Sequence, residues 1–150
     1  MSSTSASTQP TNEPVRRFRD PEELLRYLYA DLTRISEVVS PDIALHPADA
    51  EHPALHGIAA VQAHEEALVA ATDGTLRMEI SLVSVVEDTA VVSGFMRARK
   101  PGLADLEAEF MGSWKFVEGV PVEHWERLRG DAKDVARRWF ADANRARLSC

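Results

Sequence analysis

The amino-acid sequence predicts an α+β domain with its helices first and an antiparallel sheet second, and three observations carry that expectation. Before Asp73-Gly74 the apolar residues recur at helical spacing, and beyond it they alternate with polar ones. The links Glu87-Asp88-Thr89, Lys100-Pro101-Gly102 and Glu118-Gly119 are short enough to fold each strand back on its predecessor. The chain has 150 residues, 45% of them hydrophobic, which supplies one core and leaves no room for a second domain.

Residues 1–19 are rich in Ser, Thr and Pro and nearly empty of large apolar side chains, so they are expected to form a flexible tail. The domain proper, 20–130, opens at Asp20-Pro21-Glu22-Glu23. There an N-cap, a proline at the first helical position and a Glu three residues after the cap coincide. Leu24, Leu28, Leu32, Ile35 and Val39 share one stripe of a helix that stops before Ser40-Pro41. A short strand, Ile43-Ala44-Leu45-His46, leads into a loop that runs to Gly57. From Ile58 to about Thr72 a second helix sets Val61, His64 and Leu68 on one face, with His64 expected as a core histidine lacking an evident partner. Four strands follow, with the even-numbered positions inward: Leu76 to Leu82, Val92 to Ala98, Leu106 to Phe116 and Val122 to Leu128. Residues 131–150 read as a C-terminal amphipathic helix, with Val135, Ala136, Trp139 and Phe140 on its apolar face and Lys133, Arg137 and Arg138 opposite.

Several function classes drop out on composition. Twenty-four acidic against 17 basic residues give a net charge of −7, and both ends are net basic, so the domain itself is acidic and no nucleic-acid partner is expected. The sole cysteine, Cys150, is the last residue, which rules out an internal disulfide and a cysteine-based zinc site and suits a cytoplasmic setting. No apolar run approaches the ~20 residues of a membrane span, and the stretch from Met1 to Pro14 lacks a signal-peptide core. Neither Gly-x-Ser-x-Gly nor a glycine-rich phosphate loop occurs. The loop residues His46, Asp49, Glu51, His52 and His56 are of metal-ligating types. Pro47 and Pro53 forbid the helix that would align His52 with His56, so no metal and no cofactor is expected.

Chemistry is expected inside the sheet. His124 and Glu126 share the inward register with Phe110, Trp114, Phe116, Met78 and Met96. That apolar company should raise the carboxyl pKa and let the pair exchange protons near neutrality. Gly94 and Gly112 also point inward, and each either bends the sheet or leaves space for a small molecule. Tyr27 and Asp31 border the first helix's stripe and His46 ends the first strand, so each is a candidate to reach that space. The bland readings stand beside these. His124 and Glu126 satisfy one another or Glu126 meets water, Tyr27 belongs to the core, and Asp31 is a solvated edge residue. Outward, Phe95, Met111 and Trp125 form an apolar patch more easily covered than exposed.

These residues carry a family resemblance. The Leu45-His46-Pro47 strand end, the run Gly57-Ile-Ala-Ala-Val-Gln-Ala-His64, the meander and the closing Trp114-Lys-Phe-Val-Glu-Gly-Val-Pro-Val-Glu-His-Trp-Glu126 resemble the SnoaL-like branch of the nuclear transport factor 2-like superfamily over about residues 21–129. The resemblance implies a cone-shaped α+β barrel wrapping a pocket, commonly a homodimer through the outer sheet face. It also implies chemistry of the polyketide cyclase, ketosteroid isomerase, dehydratase or epoxide hydrolase kind, or none. Glu126 then stands where the cyclases place an acid/base residue, with Glu instead of Asp. Gly112 stands where cyclases carry a pocket histidine and isomerases an oxyanion-binding aspartic acid, so one partner is missing. His46 lies at or beside the isomerase base, but Pro47 follows directly where an Asp is expected. Tyr27 resembles the isomerase tyrosine, and the C-terminal helix is an addition. The expectation is therefore a cofactor-independent enzyme acting on a small apolar carbonyl compound, with Glu126 as acid/base, His124 as its orienter, and Tyr27 or His46 stabilising enolate charge. The alternative is a non-catalytic binding or interaction module.

Overall fold

In a computed structural model, which describes residues 18–49, 52–129 and 134–139, Asp20 caps the first helix. Its carboxylate accepts the Glu23 backbone N–H at 2.9 Å, and Pro21 occupies the first turn of α1 (Pro21–Ala30). Asp31 ends α1 in an extended conformation and starts a new turn by accepting the Thr33 N–H and hydroxyl at 3.0 and 2.6 Å. The single helix expected to reach Val39 is thus α1, a 3₁₀ turn over Leu32–Arg34 and α2 (Ile35–Val38). Its apolar stripe is buried all the same, from Leu24 to Val39, because the break lies between two buried leucines and not on the stripe. β1 (Ala44–His46), β2 (Leu55–His56) and α3 (Ile58–Ala71) follow, and Asp73 and Gly74 end α3 with positive φ.

The remaining strands are β3 (Arg77–Val86), β4 (Thr89–Ala98), β5 (Leu106–Val117) and β6 (Val120–Leu128). They form the expected antiparallel meander, and the six-stranded sheet has the order β2-β1-β6-β5-β4-β3. It is mixed, because β1 lies parallel to β6 with Leu45 beside His124. The sheet is curved and remains open, with β2 and β3 as its edges.

Two register shifts interrupt the sheet, and at each of them the expected alternation fails. A register shift after Ile80 turns Leu82 outward, where it is 59% exposed, and Val83 packs on the core in its stead. A second shift at Lys115/Phe116 puts buried Pro121 where Val122 was expected. Gly94 belongs to the first bulge. A Cβ there would lie 1.9 Å from the Glu79 carbonyl oxygen, so this glycine marks a close backbone approach and leaves no pocket space. On unbulged β4 and β5 the alternation holds throughout, and the helices cover the even-numbered face.

Of the C-terminal helix, the structure describes helical residues 134–139 (α4). Trp139 and Ala136 are buried there, and the Trp139 indole N–H donates to the Ala104 carbonyl at 2.7 Å. The rest of 131–150, and the expected tail apart from Phe18 and Arg19, lie outside the described residues. Among those described, no helix is long and apolar enough to cross a membrane.

Candidate active site

Between the concave sheet face, α1 and α3 lies a cavity of about 580 Å³. Leu32, Leu68, Met78, Met96, Phe110 and Leu128 form its apolar walls. Its polar groups gather around β6, where Tyr29, His64, Glu65, Trp114, His124 and Glu126 line it. An apolar hollow with few convergent polar groups is the usual form of a small-molecule site. Ala136 and Arg137 of α4 wall one side, and Arg137 faces Asp49 at 3.9 Å.

His124 is 3% exposed and lies flat on Trp114, with ring centroids 3.6 Å apart. Its Nδ1 is 3.0 Å from the Ser113 carbonyl, which fixes the proton on Nδ1 and leaves Nε2 as an acceptor 3.9 Å from Glu126. Burial pushes its pKa down to about 4, so the ring is neutral at physiological pH. Glu126 behaves contrary to expectation. Burial by itself would raise its pKa, but pairing with His64 and a hydrogen bond from the Ala48 backbone N–H bring it below the ordinary carboxylate value. The same pairing, Nε2 to Oε1 at 3.6 Å, raises His64 against the opposing effect of burial. The Glu126 carboxylate is therefore ionised at neutral pH inside a largely apolar hollow.

His64, expected as a hydrogen-bonded core histidine with no evident partner, is thus the partner of Glu126. Glu65, its neighbour on α3, is buried to 2% exposure, and its Oε1 has no hydrogen-bond partner. One donor atom each from His64, Glu65 and Glu126 lies within 4.8 Å of the others, close enough for a divalent cation to bridge them. This cluster involves none of the loop residues weighed for metal binding. His52 does line the cavity, its ring 6.1 Å from that of His64.

Gly112 makes room for a hydroxyl. A Cβ at this position would come within 2.5 Å of the Tyr29 oxygen and 3.0 Å of the His124 ring. Tyr29 occupies that room and accepts the Trp114 indole N–H at 3.1 Å, and burial raises its phenol pKa. The tyrosine in the cavity is therefore Tyr29. Tyr27 lies on another side of α1, bonded to Glu37 and covered by Phe18 and Arg34. Three other expected residues also fall outside the cavity lining. His46 stands on the outer sheet face, paired with Glu123 at 2.7 Å and stacked on Trp125, because buried Leu45 takes the inward position of β1. Asp31 is occupied capping the 3₁₀ turn, and Phe116 is packed in the core. The structure brings together Glu126, His124, Trp114, Phe110, Met78, Met96 and Gly112.

Comparison with known proteins agrees with this architecture. Three solved structures share it: a putative SnoaL-like polyketide cyclase from Jannaschia sp. CCS1 (16% identity, TM-score 0.61, covering 75% of this chain and 91% of that one), AclR, a putative hydroxylase from Streptomyces galilaeus (18%, 0.59, 77% and 95%), and TerC co-crystallised with polyporic acid (15%, 0.66, 80% and 97%). At these identities the likeness is one of fold. A search of the curated proteins found no match. The model of the SnoaL-like domain matches residues 15–124, the greater part of the sequence, and the chain therefore belongs to the SnoaL-like domain family.

Proposed function

We propose that the chain is a small-molecule enzyme using its own side chains for proton transfer on an apolar carbonyl compound, in an isomerisation, cyclisation or dehydration. One observation carries this reading: an ionised carboxylate, Glu126, faces an apolar cavity of about 580 Å³ with an imidazole on either side. Glu126 removes a proton next to the substrate carbonyl, His64 holds its charge, and the unprotonated Nε2 of His124 can relay the proton. Two neighbours bear names that accord with such a ligand, a putative polyketide cyclase and a protein crystallised with polyporic acid. The test is deuterium wash-in from D₂O into a panel of apolar ketones, followed by mass spectrometry. Glu126→Gln should lower the exchange rate by about 10²–10⁴-fold, and an unchanged rate refutes the assignment. Binding without exchange in the wild type would establish the second reading, a ligand-binding module. The glycine at 112, where the resemblance implies an acid, favours that reading.

The outer sheet face supports a homodimer. Leu82, Val86, Met111 and Val117 are exposed large apolar side chains on strands of one sheet, and Val86 is 66% exposed. A second copy of the chain would cover them. Sedimentation at micromolar concentration should give the dimer mass for the wild type and the monomer mass for Val86→Lys with Met111→Lys. A wild-type monomer removes the proposal.

A further inference from the structure

α3 and β6 bring three charged-type side chains to one part of the cavity wall, and they do not satisfy one another. His64 and Glu65 are consecutive on α3, and Glu126 meets them from β6. Their donor atoms, one ring nitrogen and two carboxylate oxygens, lie within 4.8 Å of one another. One imidazole can neutralise only one carboxylate, and His64 is already turned to Glu126. Glu65 is 2% exposed, and its buried Oε1 has no hydrogen-bond partner among the described residues. An orphaned carboxyl oxygen at that depth is costly, and a ligand to the cluster would relieve it.

The spacing suits a metal ion. The His64 Nε2 stands 3.6 Å from the Glu126 Oε1, whereas the solvent-facing pair of His46 and Glu123 closes to 2.7 Å. Two donors about 2.1 Å from a tetrahedral ion are about 3.4 Å apart, close to the inner separation. Outer groups hold the Glu126 carboxylate in place. The Ala48 backbone N–H donates to it, and His124, its Nδ1 committed to the Ser113 carbonyl, sets its Nε2 3.9 Å from Oε2. Charge balances as well, because two carboxylates, a neutral imidazole and a divalent cation leave no net charge in the apolar hollow. A mixed nitrogen and oxygen donor set suits zinc or ferrous iron better than calcium or magnesium, which favour oxygen alone. We propose that His64, Glu65 and Glu126 bind one first-row divalent transition-metal ion, with three protein ligands and its remaining position open to the cavity. The site goes beyond the proton-transfer reading and does not depend on it. The two meet at Glu126, where a carboxylate that holds a cation no longer accepts a proton readily, so the filled site should silence exchange.

Co²⁺ added to the whole protein after chelator treatment is the probe, because its visible spectrum reports inner-sphere binding. The wild type should give a one-to-one spectrum that Zn²⁺ displaces, and Zn²⁺ should raise its unfolding temperature. Glu65→Gln keeps the shape of the side chain and loses its charge, and it should weaken Co²⁺ by about tenfold or more. His64→Gln should do the same and decides the matter if Glu65→Gln does not fold. Glu123→Gln, on the outer sheet face, should bind as the wild type does. A wild type with no inner-sphere spectrum overturns the proposal, as does unchanged affinity in a folded Glu65→Gln. A spectrum lost in Glu123→Gln moves the ion to the outer pair and overturns it too. Deuterium exchange into 2-acetylnaphthalene, an apolar ketone with exchangeable methyl hydrogens, separates the two readings. Co²⁺ binding without exchange in the metal-free protein refutes proton transfer alone, and exchange without Co²⁺ binding refutes the metal site alone. Saturating Zn²⁺ should abolish exchange, and an undiminished rate would remove Glu126 from the ligands and overturn the site as proposed.

Discussion

The two faces of β6 carry the same three residue types in opposite circumstances. Inside, a histidine stacks on Trp114 with Glu126 nearby; outside, His46 stacks on Trp125 with ring centroids 5.4 Å apart and pairs with Glu123 at 2.7 Å. By distance the outer pair is the closer one, yet its side chains keep 37% and 34% of their surface in water. The inner histidine has lost water, and its pKa has fallen to about 4. Removal from water, more than the closeness of a partner, decides which imidazole has its proton affinity changed.

That contrast can be broken by removing one partner on each side. His64→Leu leaves Glu126 without its imidazole, and the carboxyl pKa should climb above the ordinary value as burial prevails. The variant should lose about 3 kcal/mol, as when one member of a buried pair is deleted. NMR titration of Glu126 and urea unfolding check the two effects. The next expected effect is a pH slope. Because the folded-state pKa of His124 lies below its unfolded value, protons bind the unfolded chain first. Stability should therefore decline as pH falls from about 6.5 toward 4, by a total on the order of 3 kcal/mol from this group. His124→Phe preserves the stack and should flatten that decline. The His64–Glu126 pair stays level over most of that interval. With His64 raised and Glu126 lowered, its contribution is complete between about pH 4.5 and 6.5 and fades on either side. Unfolding measured from pH 4 to 8 in the wild type, His64→Leu and His124→Phe should separate the two profiles. The smallest effect belongs outside. Glu123→Gln should change stability by less than about 1 kcal/mol and should leave ketone exchange at the wild-type rate, and a larger loss would erase the distinction between the faces.

The strands were legible where nothing interrupts the pleat. The alternation from Ala90 to Ala98 and from Leu106 to Phe116 announced its own buried face, and with it Trp114 and Phe110. Bulges are invisible to such a pattern when both candidate residues are apolar, as Leu82 and Val83 are, and as Pro121 and Val122 are. His124 and Glu126 were placed correctly because they lie beyond the bulge of their strand. The parallel pairing of β1 with β6 joins segments far apart in sequence, and no local signal encodes it. Helical phase was the harder quantity. Tyr27 and Tyr29 are two positions apart and so point to nearly opposite sides of α1. The stripe Leu25, Leu28, Leu32 selects Tyr29, whereas a stripe read from Leu24 does not. On α3 the signal was a Glu four residues after Val61 and three before Leu68, an acid where the period calls for a hydrocarbon.

Gly112 and Tyr29 depend on one another. A methyl group on that α-carbon and the phenol oxygen of Tyr29 would contend for one volume, so any side chain at 112 requires the phenol to move. What looks in the one-dimensional text like a deleted functional group is a vacancy already let to another tenant. An acid placed at 112 without shortening Tyr29 would displace the phenol and crowd the His124 ring.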